Sequence, residues 1–252
     1  MKILKSDHFI FSIGLKKEKI QNYDKYPFSL PIVKYFEDID LNPSVTFIVG
    51  ENGSGKSTLL EAIAVSLGFN PEGGTRNFGF NTRESHSDLY KYLRIAKGIK
   101  RPKTGFFLRA ESFFNVATEI EQLDEDPWGG PPIIDSYGGI SLHEQSHGES
   151  FFSLMRNRFG SKGLYILDEP EAALSPNKQM AMITLMNDLI KKGSQFIIST
   201  HSPILLSYPK STIYEIRDKG LERVDYEDTD TFAITKQYLN NYQSMLKILL
   251  ED

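Results

Sequence analysis

Hydrophobic residues in this chain come in short unbroken runs, set between stretches where they recur every three or four positions. Val45-Thr46-Phe47-Ile48-Val49 and Leu164-Tyr165-Ile166-Leu167 are the clearest runs. Both are bounded and brief, so they read as buried strands rather than helices. Phe9–Ile13, Gly105–Arg109 and 195–199 share this character. Residues 58–64, 112–123 and 176–192 carry helical spacing, another helix opens at 148, and a final one is expected over 231–249. A short helix is expected near 87–97 and a hairpin over 211–226. Residues 69–86, rich in Gly, Asn, Ser and Thr, read as a long loop. Residues 124–141 contain Pro127-Trp128-Gly129-Gly130-Pro131-Pro132 and Tyr137-Gly138-Gly139, and read as an irregular, mobile loop. Strands alternating with helices predict an α/β chain with a mainly parallel core sheet, preceded by 40 residues of strands and turns.

Composition narrows the class. The chain has 252 residues, 40% hydrophobic and 25% charged, and a net charge of −4. These values suit a soluble globular protein and provide no global positive field for nucleic acid or anionic membrane. Two local basic stretches, Lys16-Lys17-Glu18-Lys19 and 97–103, read as solvated faces. The absence of cysteine excludes disulfides, thiolate metal sites and cysteine nucleophiles. No apolar run approaches the ~20 residues of a membrane span, and Met1–Asp7 lacks a signal-peptide core, so a cytoplasmic location without membrane insertion is expected.

Residues 50–58 point to chemistry. Gly50-Glu51-Asn52-Gly53-Ser54-Gly55-Lys56-Ser57-Thr58 fits G-x-x-x-x-G-K-[ST], the loop that wraps nucleotide phosphates. Its glycines let backbone N–H groups turn inward. Lys56 would reach the β- and γ-phosphates, and the Ser57 hydroxyl would ligate Mg²⁺. A strand before the loop and a helix after it complete the pattern, which predicts nucleoside triphosphate binding. A second group follows the strand at 164–167. Asp168 and Glu169 emerge at its carboxyl end, where ligands sit in such sheets. Asp168 would hold Mg²⁺ through water or the Ser57 hydroxyl, and Glu169 would polarise the attacking water.

The third group is Gln145-Ser146-His147-Gly148-Glu149, ahead of a helix, where a hydroxyl and free N–H groups make an anion site. With this segment the chain resembles the ABC-type P-loop ATPases, and more narrowly the compact stand-alone bacterial ATPases related to SMC and RecF-like heads. Ser146 and Gly148 match the family signature Leu-Ser-Gly-Gly-Gln. Glu149 stands where transporters carry Gln and SMC or RecF-like proteins often carry Glu, while His147 departs from the first glycine. Pro170-Glu171-Ala172-Ala173-Leu174-Ser175-Pro176 resembles the D-loop stretch, and Ile197-Ile198-Ser199-Thr200-His201 the switch-histidine strand. The segment His143-Glu144-Gln145-Ser146-His147 also fits the zinc-peptidase pattern H-E-x-x-H. That site needs both histidines on one helix, which Ser146 and Gly148 disfavour.

The resemblance covers about residues 27–227. It implies one ABC-type ATPase domain over 1–252, with an antiparallel N-terminal β region, a small lobe inserted at about 69–145 and a C-terminal helix at 228–252. It implies ATP and Mg²⁺ as ligands, and a homodimer that sandwiches ATP between one subunit's phosphate loop and the other's signature, Ser146 to Glu149. Lys56, Glu169 and His201 would be catalytic. Glu111 stands in the Q-loop position in place of Gln, and Tyr26 is preferred for adenine stacking over Tyr23, Phe28 and Tyr35. The expected activity is Mg²⁺-dependent ATP hydrolysis coupled to DNA or a partner effector protein. Two alternatives are the ATP-binding subunit of a membrane transporter and a nucleotide-gated switch with little turnover.

Overall fold

The computed structural model describes residues 8–76, 87–124, 132–218 and 220–250. Parts of both expected long loops (77–86 and 125–131), together with 1–7, 219 and 251–252, lie outside the described residues. In chain order the elements are β1 (Ile10–Leu15), α1 (Pro31–Lys34), β2 (Ile39–Asp40), β3 (Val45–Val49) and α2 (Lys56–Ser66). Next come β4 (Leu93–Lys97), β5 (Thr104–Arg109), α3 (Phe113–Asp124), α4 (His147–Arg158), β6 (Gly163–Asp168) and α5 (Pro176–Lys191). The chain closes with β7 (Gln195–Ser199), α6 (Pro203–Leu206), β8 (Thr212–Arg217), β9 (Gly220–Val224) and α7 (Asp230–Leu250).

Two sheets result. A small antiparallel one has the order β2-β1-β4, and a six-stranded one runs β5-β6-β7-β3-β8-β9. All pairings in the larger sheet are parallel except β8 with β9. Side chains alternate across it, because successive residues of a strand point to opposite faces. Tyr165, Leu167, Phe196 and Ile198 join Phe106, Leu108 and the apolar faces of α3, α4 and α5. Leu164, Ile166 and Ile197 face the other way, onto α2 and the small sheet. Helix α2 is therefore apolar on two sides, with Leu59, Leu60 and Ile63 essentially inaccessible. Buried Gln195 ties the two sheets: its Oε1 accepts from the N–H groups of Phe9 and Ile10, and its Nε2 donates to the Ile10 and Asn42 carbonyls.

Two local expectations are corrected. The short helix expected near 87–97 is a single 3₁₀ turn, Asp88–Tyr92, followed by strand β4. Leu93 and Ile95 face β1 in register with Leu15 and Ile13, and that pairing outweighs the weak local helical pattern. The segment 124–141 is not wholly irregular. Ile133–Tyr137 forms a 3₁₀ helix whose Tyr137 is fully buried, and Asp124 accepts hydrogen bonds from the Ile133 and Ile134 N–H groups. Residues 69–145 contribute β4 to the small sheet and β5 to the edge of the large one, as well as α3. No helix among the described residues is long and apolar enough to cross a membrane.

Candidate functional site

The parallel strands bring their carboxyl ends together. Arg109, last in β5, stands opposite Asp168, last in β6, which stands opposite Ser199, last in β7. The next strand, β3, runs into the phosphate loop. Its glycines carry positive φ values, 150° at Gly50 and 99° at Gly55. A side chain at Gly55 would also collide with Ile32, whose Cγ2 lies 2.6 Å from where a Cβ would stand. Glycine is required there for conformation and for space.

Helix α2 starts at Lys56, so its free N–H groups border the loop. Lys56 is buried, and its ammonium donates to the Gly50 and Glu51 carbonyls at 2.8 and 2.9 Å. Burial lowers its pKa, opposed by the nearby Glu169, Asp168 and Glu171 carboxylates. The Ser57 hydroxyl donates to Asp168 Oδ1 at 3.2 Å. Asp168 also accepts from the Ser199 hydroxyl at 2.5 Å and lies 3.7 Å from Arg109 Nε. Burial raises its pKa, while Ser199, Arg109 and Ser57 oppose the shift. Arg109 is itself shared with Glu61 at 2.9 Å, and with Glu111 at 3.5 Å.

Glu169 sits in the left-handed region, with φ 51° and ψ 52°. This conformation costs a non-glycine residue about 1–3 kcal/mol. Its N–H donates to the Ser199 carbonyl at 3.1 Å, which holds the turn. Its carboxylate lies 3.5 Å from His201 Nε2, a buried nitrogen without a hydrogen-bond partner. The D-loop-like stretch supports His201 from below. Glu171 accepts from the His201 N–H at 2.5 Å and from the Thr200 hydroxyl at 2.7 Å. Ser202 donates to Gln179 at 2.5 Å, and Gln179 in turn donates to the Leu174 carbonyl at 2.9 Å.

A cleft of about 670 Å³ opens over these groups, lined by Glu51, Asn52, Glu169, Glu171, Ala172 and His201. A second, of about 790 Å³, lies along the loop and includes Tyr35, Gly50, Ser54 and His201. Tyr35 borders this second cleft, whereas Tyr26, 63% exposed, borders neither. Glu111 is exposed beyond Arg109 and outside both clefts.

The signature residues stand apart from both clefts. Ser146 caps α4, and the Glu149 carboxylate accepts from its N–H at 3.2 Å and its hydroxyl at 2.5 Å. This reciprocal cap gives Glu149 a local role in addition to any contact with ligand, and it lowers the Glu149 pKa. Because α4 begins at His147, His143 lies outside the helix, and the two histidines lack the shared face a zinc peptidase needs.

The arrangement fits a nucleotide with its Mg²⁺. Lys56 and the α2 N-terminus suit phosphate, and the unpartnered His201 nitrogen at the cleft suits an anionic oxygen. The Ser57 and Asp168 oxygens suit a hard cation. No group of three or more acidic or histidine ligands occurs among the described residues, so the remaining ligands would be phosphate oxygens and water. Sequence reading had not selected Arg109, Ser199, Glu171 or Thr200. Glu171, Ser199 and Thr200 lie within the D-loop-like and switch-like stretches quoted above, and Arg109 ends the strand at 105–109, so those places were the available signal.

Comparisons agree with this geometry. Residues 19–125 match the AAA domain family, and residues 140–206 the AAA ATPase domain family. The cytochrome c biogenesis ATP-binding export protein CcmA of Rhodopseudomonas palustris is 30% identical over 164 residues, 62% of this chain and 78% of that one. CcmA of Aliivibrio fischeri is 29% identical over 168 residues, 63% and 79% of the two chains. The chromosome partition protein Smc of Methanocaldococcus jannaschii is 26% identical over 166 residues, 56% of this chain but 14% of that one. Among solved structures, an inward-facing putative metal-chelate type ABC transporter superposes with a TM-score of 0.53 at 15% identity, covering 90% of this chain and 87% of the other. The phosphate loop on β3, the acids ending β6 and this kinship lead to one assignment: the chain belongs to the ABC-type P-loop ATPases, an ATP-binding fold.

Proposed function

We propose that this protein hydrolyses Mg·ATP and dimerises around it as a motor acting on DNA or a partner effector. The observation that carries the reading is the cluster of Lys56, Ser57, Asp168, Glu169 and His201 at one sheet edge. Lys56 would leave the loop carbonyls for the β- and γ-phosphates, moving a positive charge to where negative charge develops. Glu169, fixed by its turn and facing His201, would orient the attacking water and accept its proton. His201, held through its N–H by Glu171, would donate to a γ-phosphate oxygen. The Ser57 hydroxyl and Asp168 would hold Mg²⁺, which supplies charge neutralisation on the transferred phosphoryl group.

The signature lies outside both clefts, so the reading places Ser146 of a second copy over the γ-phosphate in an isologous pair. ATP then joins the two subunits, and hydrolysis releases them. A second reading, the ATP-binding subunit of a membrane transporter, draws on the likeness to the CcmA export proteins. A nucleotide-gated switch with little turnover is disfavoured by Glu169, a residue such a switch does not need.

The test is the light-scattering mass of Glu169→Gln with and without Mg·ATP, alongside Glu169→Gln with Ser146→Arg. An ATP-dependent dimer that Ser146→Arg abolishes supports the sandwich. A monomer that nonetheless holds ATP overturns autonomous dimerisation and favours an obligatory partner such as a membrane subunit.

A further inference from the structure

Six of the chain's 29 lysines and arginines meet at the amino edge of the large sheet, the end opposite the phosphate loop. Backbone hydrogen bonds set three of them side by side. The Lys103 N–H donates to the Lys162 carbonyl at 2.9 Å, and the Lys162 N–H to the Lys192 carbonyl at 3.2 Å. The chain thus enters β5, β6 and β7 past a row of lysines, with adjacent strands about 4.8 Å apart. Lys100, Arg101 and Lys191 complete a concavity of about 610 Å³, walled also by Phe9 and Gly193. Among the described residues no carboxylate lines it.

Folding alone does not account for the row. Lys191 and Lys192 suit the carboxyl end of α5, but Lys103 and Lys162 precede strands and gain nothing from a helix dipole. Lys162 also occupies the left-handed region at φ 55°, where glycine would be unstrained. Taking these six charges from the net −4 leaves −10 for the rest, so the summed field favours this slot over the remaining surface as a whole for a polyanion.

We propose that this slot binds the phosphodiester backbone of nucleic acid. A concave, cation-lined wall receives a narrow strand of phosphates better than a flat bilayer. Ile99, the exposed apolar side chain beside Lys100, falls far short of the apolar face that an interfacial membrane element buries. The slot would serve the DNA-coupled reading above by supplying its polyanion contact. It lies away from the ATP cleft, and its test is run without ATP, so failure of either idea leaves the other standing.

The experiment measures fluorescence anisotropy of a labelled duplex DNA of about 20 base pairs, with the full chain lacking nucleotide, from about 50 to 200 mM salt. Wild type is expected to bind with steep salt dependence. The triple variant Lys103→Glu, Lys162→Glu, Lys192→Glu should lose at least about tenfold in affinity, and about 2.7 from the log–log salt slope. An equal-charge control, Lys17→Glu, Lys19→Glu, Lys34→Glu, should bind as wild type does. Lys162→Gly separates binding from folding: it relieves the left-handed strain, so its Tm should hold or rise while affinity falls. Failure of wild type to bind DNA at the lowest salt overturns the proposal. So does an equal loss in the control variant, or binding to phosphatidylglycerol vesicles without binding to DNA.

Discussion

A side chain at Gly148 would meet the Ala173 carbonyl, which lies 2.7 Å from the position of the missing Cβ. The second residue of the signature helix therefore touches the turn that follows Glu169. Gly148→Ala should cost about 1–3 kcal/mol through overpacking, read as a lower midpoint in urea. An unchanged midpoint would mean that the two segments slide apart freely.

Glu171 joins the same turn to the switch segment by accepting from Thr200 and the His201 N–H. Glu171→Ala strands both donors and should destabilise by about 1–3 kcal/mol. If Glu171 positions His201, kcat also falls while KM moves little, and Glu171→Gln, which keeps an acceptor, recovers part of the rate.

Glu169→Gln should lower kcat by about 10²–10⁴-fold, the usual contribution of a positioned base, and leave ATP binding intact. Steady-state turnover with a nucleotide-binding assay checks both halves. A rate within a few-fold of wild type would remove Glu169 from the chemistry.

Lys56→Ala should abolish thermal stabilisation by nucleotide. Wild type at a ligand concentration of about 100 Kd gains about 2.7 kcal/mol. A variant that still gains this amount would show that the phosphates bind elsewhere.

Burial pushes the Tyr165 hydroxyl up to about 12 from 10.0, while it donates to the Gly160 carbonyl and accepts from the Gly160 N–H. The unfolded chain releases this proton near pH 10 and the folded chain near 12. Stability from this group is thus whole below pH 10 and drains away as pH rises toward 12, by about 3 kcal/mol at most. Tyr165→Phe should be less stable at neutral pH, having lost two hydrogen bonds, but show a shallower decline between pH 10 and 12. Parallel slopes for the two proteins in urea titrations would contradict this.

The strands at 45–49, 105–109, 164–167 and 195–199 could be read locally, since each is a short apolar run buried on both faces. Strand β4 could not. Its partner β1 lies some 80 residues earlier, and no local pattern announces a pairing at that distance. The 3₁₀ turn at Ile133–Tyr137 was hidden by the surrounding Gly and Pro, because its order comes from Asp124 and the burial of Tyr137.

Local pattern was enough for the class of fold and for the phosphate loop, because both rest on periodicity and on glycines whose backbone freedom is a property of the residue itself. Which groups keep company at the loop was beyond it. Ser57 reaches Asp168 across 111 residues, Ser199 reaches the same carboxylate across 31, and Arg109 joins them from β5. The basic row arises in the same way, from three strand entrances aligned by register. Parallel pairing stacks strand ends that are distant along the chain, and only the folded sheet selects which ends become neighbours.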